Sequence, residues 1–146
     1  MPPSLSNILY EARELLAKAG IPSAELDAQV MLADVIGCSR ADLVIDRHRE
    51  LTSQQSQHYH DMLVRRAKRE PLAYIRGFKE FWSIPIKVIP GVLIPRPETE
   101  HLVERVLEII ENKKSDVEIL DLCTGSGAIP AALATELPHA RFTVTD

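Results

Sequence analysis

The segment Val117–Asp146 constrains this chain more than any other. Val117–Leu122 is a short, mostly apolar run, and Gly125-Ser126-Gly127 can turn tightly. Ala128–Leu137 has helical composition, and Arg141–Thr145 is a second strand-like run that ends at Asp146. Strand, glycine turn, helix and strand in that order make a β-α-β unit, with two parallel strands joined by a crossover helix. Val117–Leu122 reads as a buried strand, because parallel sheets are usually covered on both faces. Pro130 is compatible with the helix only in its first turn, where a missing N–H costs nothing.

The turn and its flanking acids carry the chemistry. Gly125 and Gly127 let backbone approach a ligand closely, and the helix that follows offers free N–H groups. Asp146 lies about 20 residues past the glycines at the end of the next strand, where an acid can accept hydrogen bonds from ribose hydroxyls. An adenosine-bearing cofactor fits that layout. A dinucleotide fits less well, because the third position of its fingerprint is Pro130 and the carboxylate of Asp121 stands beside the turn. S-adenosylmethionine has no phosphate and carries a sulfonium and an ammonium, which tolerate a nearby acid. The plainer alternative is a structural strand-to-helix turn beside a surface aspartate.

The first half of the chain has a different period. Ile8, Leu9, Ala12, Leu15, Leu16 and Ala19 fall on one helical face, and Gly20 suits the position just past the end. Ser23 can cap a second helix with Leu26, Val30, Ala33, Val35 and Ile36 inward, stopping at Gly37. Ser39–Asp42 and Thr52–Gln55 are capping-box patterns. The latter opens a helix with Tyr59, Met62, Leu63 and Ala67 inward, closed by Pro71. Short amphipathic helices of this kind pack as a bundle. Leu72–Ile75, Phe78–Trp82 and Ile84–Ile89 read as a β-hairpin stretch, in which Pro85 favours an edge. Pro97, followed by Glu98 and Glu100, marks a helix N-terminus carrying Leu102, Val103, Val106, Leu107 and Ile110. Asn112–Asp116 reads as a polar loop.

Asp121-Leu122-Cys123-Thr124-Gly125-Ser126-Gly127-Ala128-Ile129 resembles the first motif of class I methyltransferases, in the form seen in the PrmC/HemK family. Pro71–Gly77 with Glu80-Phe81-Trp82 resembles that family's interdomain hairpin, and Leu93–Glu100 resembles the segment before its catalytic domain. The resemblance covers essentially the whole chain. It implies an all-α helical recognition domain over residues 1–70 and a β-hairpin linker over 71–91. Residues 92–146 would be the incomplete start of an α/β Rossmann-like class I methyltransferase domain. The implied activity is methylation of the glutamine side-chain nitrogen in the Gly-Gly-Gln motif of peptide-chain release factors, hence a role in translation termination.

By the same resemblance, Cys123, Thr124, Gly125, Ser126 and Gly127 would cradle the methionine part of S-adenosylmethionine, Asp146 the ribose, and Asp121 would fix the loop. Arg96, Glu98 and Thr99 would wall the pocket. Position 123 is usually glycine in this motif; Cys123 is expected to take an ordinary backbone conformation. The family's catalytic Asn-Pro-Pro-Tyr motif is absent from the 146 residues, so no catalytic residue is assigned and this chain alone is expected to be inactive.

Other features bear on the rival readings. A net charge of −4 gives no global basic field, and no direct nucleic-acid partner is expected. The basic run Arg65–Arg69 could touch a release factor or RNA, but solvated cations at a helix C-terminus are the expected reading. Phe78, Phe81 and Trp82 could face a partner; a hairpin core is the expected reading. Cys38 and Cys123 form no C-x-x-C pair, and the five histidines show no ligand spacing, so no metal site is assigned. Met1–Ser4 opens no signal peptide and no apolar run reaches the ~20 residues of a membrane span, so a cytoplasmic location is expected. A non-catalytic helical adaptor and a nucleic-acid adenine N6-methyltransferase remain alternatives.

Overall fold

A computed structural model describes residues 4–46, 48–110 and 116–146. The N-terminal Met1–Pro3 and the expected polar loop, apart from Asp116, lie outside those residues. The backbone divides into two compact units, Met1–Arg76 and Gly77–Asp146.

The first unit contains α1 (Leu5–Lys18), α2 (Ala24–Ile36), α3 (Arg40–Ile45), α4 (Ser53–Ala67) and α5 (Leu72–Arg76). Local chemistry sets most of the boundaries. Both capping boxes form: Ser39 with Asp42, and Thr52 with Gln55, exchange side-chain and backbone hydrogen bonds. Gly20 takes a left-handed φ of 72°. This lets the Ile21 N–H reach back to the Leu16 carbonyl at 3.0 Å and close α1. Leu5, Leu16, Met31, Leu32, Leu43, Tyr59 and Leu63 form the centre of the core.

Two sequence expectations fail here. Leu72–Ile75 is helical and not part of the hairpin. The Pro71 carbonyl accepts from the N–H groups of Tyr74 and Ile75, and Ala73 and Ile75 are buried. A four-residue apolar run has no period of its own to decide between strand and helix. The second concerns α2, whose Leu26 is exposed while Ala24, Ala28, Met31 and Leu32 are buried. Asp27, only 4% exposed, shares this inward face and fixes its phase through an ion pair with Arg66 at 2.6 Å. Ser23 sits at the N-cap of α2 but makes no side-chain cap bond.

The second unit contains β1 (Phe78–Phe81) and β2 (Ile84–Lys87), then α6 (Glu100–Ile109), β3 (Glu118–Leu122), α7 (Ala128–Glu136) and β4 (Arg141–Thr145). β1 and β2 form an antiparallel hairpin in the register Phe78↔Lys87 to Phe81↔Ile84, with Pro85 on a two-stranded ribbon that is all edge. Its turn is Trp82-Ser83, both left-handed, at φ 52° and 57°. That conformation disfavours L residues. Here it is held by Glu100, which accepts from the Trp82 N–H at 2.9 Å, and by Glu136, which accepts from the indole N–H at 3.2 Å.

β3 and β4 pair in parallel, from Glu118↔Arg141 to Leu122↔Thr145, with α7 between them in sequence. Phe81, Ile86, Val103, Ala132, Leu133 and Leu137 make the core of this unit, with Trp82 packed against it. Phe81 and Trp82 are therefore hairpin core. The expectation that β3 is buried holds for one face only. Ile119 and Phe142 pack inward, but Leu120, Leu122 and Val144 are 60%, 65% and 50% exposed. Two strands and one helix supply atoms for one side of the sheet and none for the other.

The basic run at the end of α4 works inside the first unit. Arg65 pairs with Glu70 and Arg66 with Asp27. Arg69 donates to the Ala19 carbonyl at the end of α1 at 3.2 Å. Three arginines thus tie α4 to α1, α2 and the approach to α5, in place of the expected solvated cations. Arg66→Ala leaves a buried carboxylate without its partner and should destabilise by about 3–5 kcal/mol. Arg65→Ala, at a half-exposed pair, should cost about 1 kcal/mol or less. Urea unfolding followed by far-UV circular dichroism distinguishes the two.

Acid should loosen the same unit. Hydrogen bonds from Ser39 lower the Asp42 pKa from its ordinary 3.8, and the hydrogen bond from Arg65 lowers that of Glu70 from 4.5. A carboxylate whose pKa is depressed by folding stabilises the folded state above its unfolded pKa and loses that stabilisation as pH falls through the folded pKa. The urea midpoint should therefore drop as pH falls below 4.5 and then 3.8. Asp42→Asn with Glu70→Gln should start lower at neutral pH and fall less steeply.

Candidate functional site

Between the end of β3 and the start of α7 the backbone is left-handed at alternate residues: Cys123 at φ 59°, Gly125 at 56° and Gly127 at 71°. The turn is closed by the Gly127 N–H on the Thr124 carbonyl at 3.0 Å. It is joined to the end of β4 by two consecutive N–H groups. Thr124 donates to the Thr145 carbonyl at 2.9 Å, and Gly125 donates to Asp146 Oδ1 at 3.1 Å. Gly127 is the N-cap of α7, so the free N–H groups of the first helical turn face the same region. Pro130 falls at the third helical position and is buried.

An open cavity of about 640 Å³ lies over this turn. Cys123, Thr124, Gly125, Ser126 and Asp146 line it, and so do Arg96 and Thr99 from the segment before α6. Three expected site residues do not. Gly127 is the N-cap of α7, Asp121 lies within β3, and Glu98 is exposed outside the lining. The reason for Glu98 is local: Pro97–Thr99 is one turn of 3₁₀-helix. In such a turn, residues three apart eclipse. This puts Arg96 and Thr99 on one side and Glu98 on another. Val92, Leu93, Pro95 and Ile129 line the cavity without having been singled out in the sequence. The available signal was the apolar Val92-Leu93-Ile94 set between prolines, in a loop where such residues are seldom exposed without use.

Two polar atoms at the turn, Asp121 Oδ2 and Thr124 Oγ1, are buried and have no hydrogen-bond partner in the protein. Of the two, Thr124 lines the cavity, and its hydroxyl can both donate to and accept from a ligand there. The cavity is also of a size usual for small-ligand sites. Among the described residues, no three His, Cys, Asp or Glu side chains gather closely enough to hold a metal ion. No helix of the described residues is long and apolar enough to cross a membrane.

Comparison with known proteins decides the family. Residues 7–77 match the family model described as the PrmC N-terminal domain. The chain belongs to the PrmC family. It is 39% identical over 145 residues to a release factor glutamine methyltransferase of Leptospira interrogans, covering 99% of this chain and 51% of that protein. Against the protein of the same name from Coxiella burnetii it is 49% identical over 121 residues, 83% of this chain and 43% of the relative. The Vibrio cholerae protein of that name is 44% identical over 138 residues, 94% and 48%. The chain thus spans about half the length of the curated relatives it matches. The matched PrmC N-terminal domain ends one residue past the boundary of the first compact unit at Arg76.

The left-handed Cys123 corrects the expectation of ordinary backbone there. To enter α7 directly from β3, the chain must reverse within a few residues, and alternate left-handed positions achieve this. Gly125 and Gly127 do so without strain, whereas an L side chain in this region costs about 1–2 kcal/mol. The thiol is exposed, so nothing blocks the conformation sterically. Cys123→Gly should therefore raise stability by about 0.5–1 kcal/mol after the extra flexibility of unfolded glycine is subtracted. Cys123→Val should lower it, because a β-branched residue resists positive φ more strongly. Thermal unfolding of both variants tests the point.

Proposed function

We propose that this PrmC-family chain is the recognition and cofactor-binding portion of an S-adenosylmethionine-dependent methyltransferase acting on the glutamine side-chain nitrogen of the Gly-Gly-Gln motif in peptide-chain release factors, in the cytoplasm. The observation that carries the reading is the single cavity lined jointly by the glycine turn, Asp146, Arg96 and Thr99. The names borne by its relatives support the substrate. In this reading the helical unit recognises the protein substrate, and β3-α7-β4 begins a Rossmann-like sheet.

The cofactor, when bound, supplies an electrophilic methyl group. The chain's own residues bind and orient. The N–H groups at the start of α7 and the backbone of Cys123–Ser126 would hold the methionine carboxylate and amine. Thr124, which lines the cavity, offers a hydroxyl that otherwise lacks a partner, and Asp121 would fix the loop. Asp146 would accept from the ribose hydroxyls, and Arg96 and Thr99 would close the other wall. An amide nitrogen is a weak nucleophile because its lone pair is delocalised into the carbonyl. Rate enhancement therefore rests on holding it in line with the methyl group, by orientation and fixed dipoles. The Asn-Pro-Pro-Tyr acceptors that would hold that nitrogen are not among these 146 residues. The chain by itself should not transfer methyl groups.

A chimera joining these 146 residues to the second half of the Leptospira interrogans relative tests the reading. Calorimetry should show S-adenosylhomocysteine binding to the chimera, and Gly125→Ala should weaken it about five- to thirtyfold, through strain of 1–2 kcal/mol at the turn. A chimera that folds but does not bind would remove the cofactor reading and favour a helical adaptor. The arginines at and just past the end of α4 give the nucleic-acid reading no support, because Arg65, Arg66 and Arg69 are engaged within the first unit.

A further inference from the structure

We infer that Asp146 has a second task, distinct from contact with a ligand: its carboxylate is a positioning group that sets the glycine turn before any ligand enters. This rests on the cofactor reading for its consequence, but not for its geometry. Parallel pairing of β3 with β4 runs in register through Leu122↔Thr145. It extends one step further through the Thr124 N–H and the Thr145 carbonyl. The following N–H, that of Gly125, then lies opposite a side chain, and Asp146 Oδ1 accepts it at 3.1 Å. The strand ladder is thus continued into the turn by a carboxylate.

That bond falls where the turn most needs one. Gly125 is the middle of three left-handed positions, and a Cβ placed on it would meet nothing within 4 Å, so surrounding side chains do not hold the residue in place. Free glycine visits many backbone states. The Asp146 bond restricts it from one side and the Gly127–Thr124 bond from the other. Gly125, Asp146 and Thr124 all line the cavity, so this restriction acts on the cavity wall itself. A carboxylate has two oxygens and about four acceptor sites. Engaging Oδ1 with Gly125 leaves acceptor capacity for ribose hydroxyls, so the two tasks are compatible and add.

The two tasks can be separated by substitution. Asp146→Asn keeps an Oδ1 acceptor for Gly125 but removes half of the acceptor set and the charge. Asp146→Ala removes everything. Amide hydrogen exchange measured by NMR on the 146-residue chain reads the turn directly, without ligand. The Gly125 N–H should exchange about five- to tenfold faster in Asp146→Ala than in the parent chain, as for loss of one exposed hydrogen bond of ordinary strength. In Asp146→Asn the change should be smaller, and the Phe81 and Leu133 amides in the core should be unmoved in both. Equal Gly125 exchange in parent and Asp146→Ala would overturn the proposal. In the chimera, S-adenosylhomocysteine should bind more weakly to Asp146→Ala than to Asp146→Asn by a further factor of about five. Equal weakening of the two would also overturn it. Absence of binding by the parent chimera would remove the cofactor reading instead, and the exchange measurement would still decide the role of Asp146 in the turn.

Discussion

The left-handed backbone at Cys123, Gly125 and Gly127 is the constraint on which the second unit depends. Without it, β3 could not hand over to α7 within five residues, and α7 could not lie over the sheet with Ala132, Leu133 and Leu137 in the core. The same bends aim the first N–H groups of α7 at the cavity and bring Thr124 and Gly125 beside the end of β4. Fold and candidate site are consequently one piece of geometry. The strain at Cys123 is tolerated because the side chain points out, where it collides with nothing.

The first unit is organised by a different interaction, the buried pair of Asp27 and Arg66. Burying a carboxylate is costly unless it is paired and hydrogen-bonded. Arg66 also donates to the Glu70 carbonyl at 2.9 Å, so its fork is used on two partners. Pairing of this kind adds little to net stability over an apolar contact, but it punishes misalignment severely. It therefore acts on specificity: α2 cannot rotate to bury Leu26 without abandoning Asp27. Tyr59 belongs to the same seam, donating to the Ala28 carbonyl at 3.0 Å while its ring fills the core, and burial pushes its phenol pKa upward.

The sheet of the second unit is half covered, and the reason is arithmetical. Parallel strands need helices on both faces. With one crossover helix, only Ile119 and Phe142 gain a packed neighbour, and Leu120, Leu122 and Val144 remain open. The hairpin is better supplied. Its strained turn is held by Glu100 at the start of α6 and Glu136 at the end of α7, so three elements are stitched together at Trp82.

Much of this was legible in the sequence, where the governing physics is local. Capping boxes at Ser39 and Thr52, the stops at Gly20 and Gly37, the proline entry at Pro97 and the β-α-β order all involve residues within a few positions of one another. The glycine turn and Asp146 were also readable, because a β-α-β unit fixes where the next strand ends. Tertiary structure alone decided the rest, because those outcomes depend on partners far away in the chain. Asp27 and Arg66 are separated by 39 positions, Trp82 and Glu136 by 54. No local period announces such pairs. Helical phase in α2, the helical state of Leu72–Arg76 and the left-handed Cys123 follow from what surrounds each segment. A short run of apolar residues, or a single residue at a bend, has too little intrinsic preference to resist its environment.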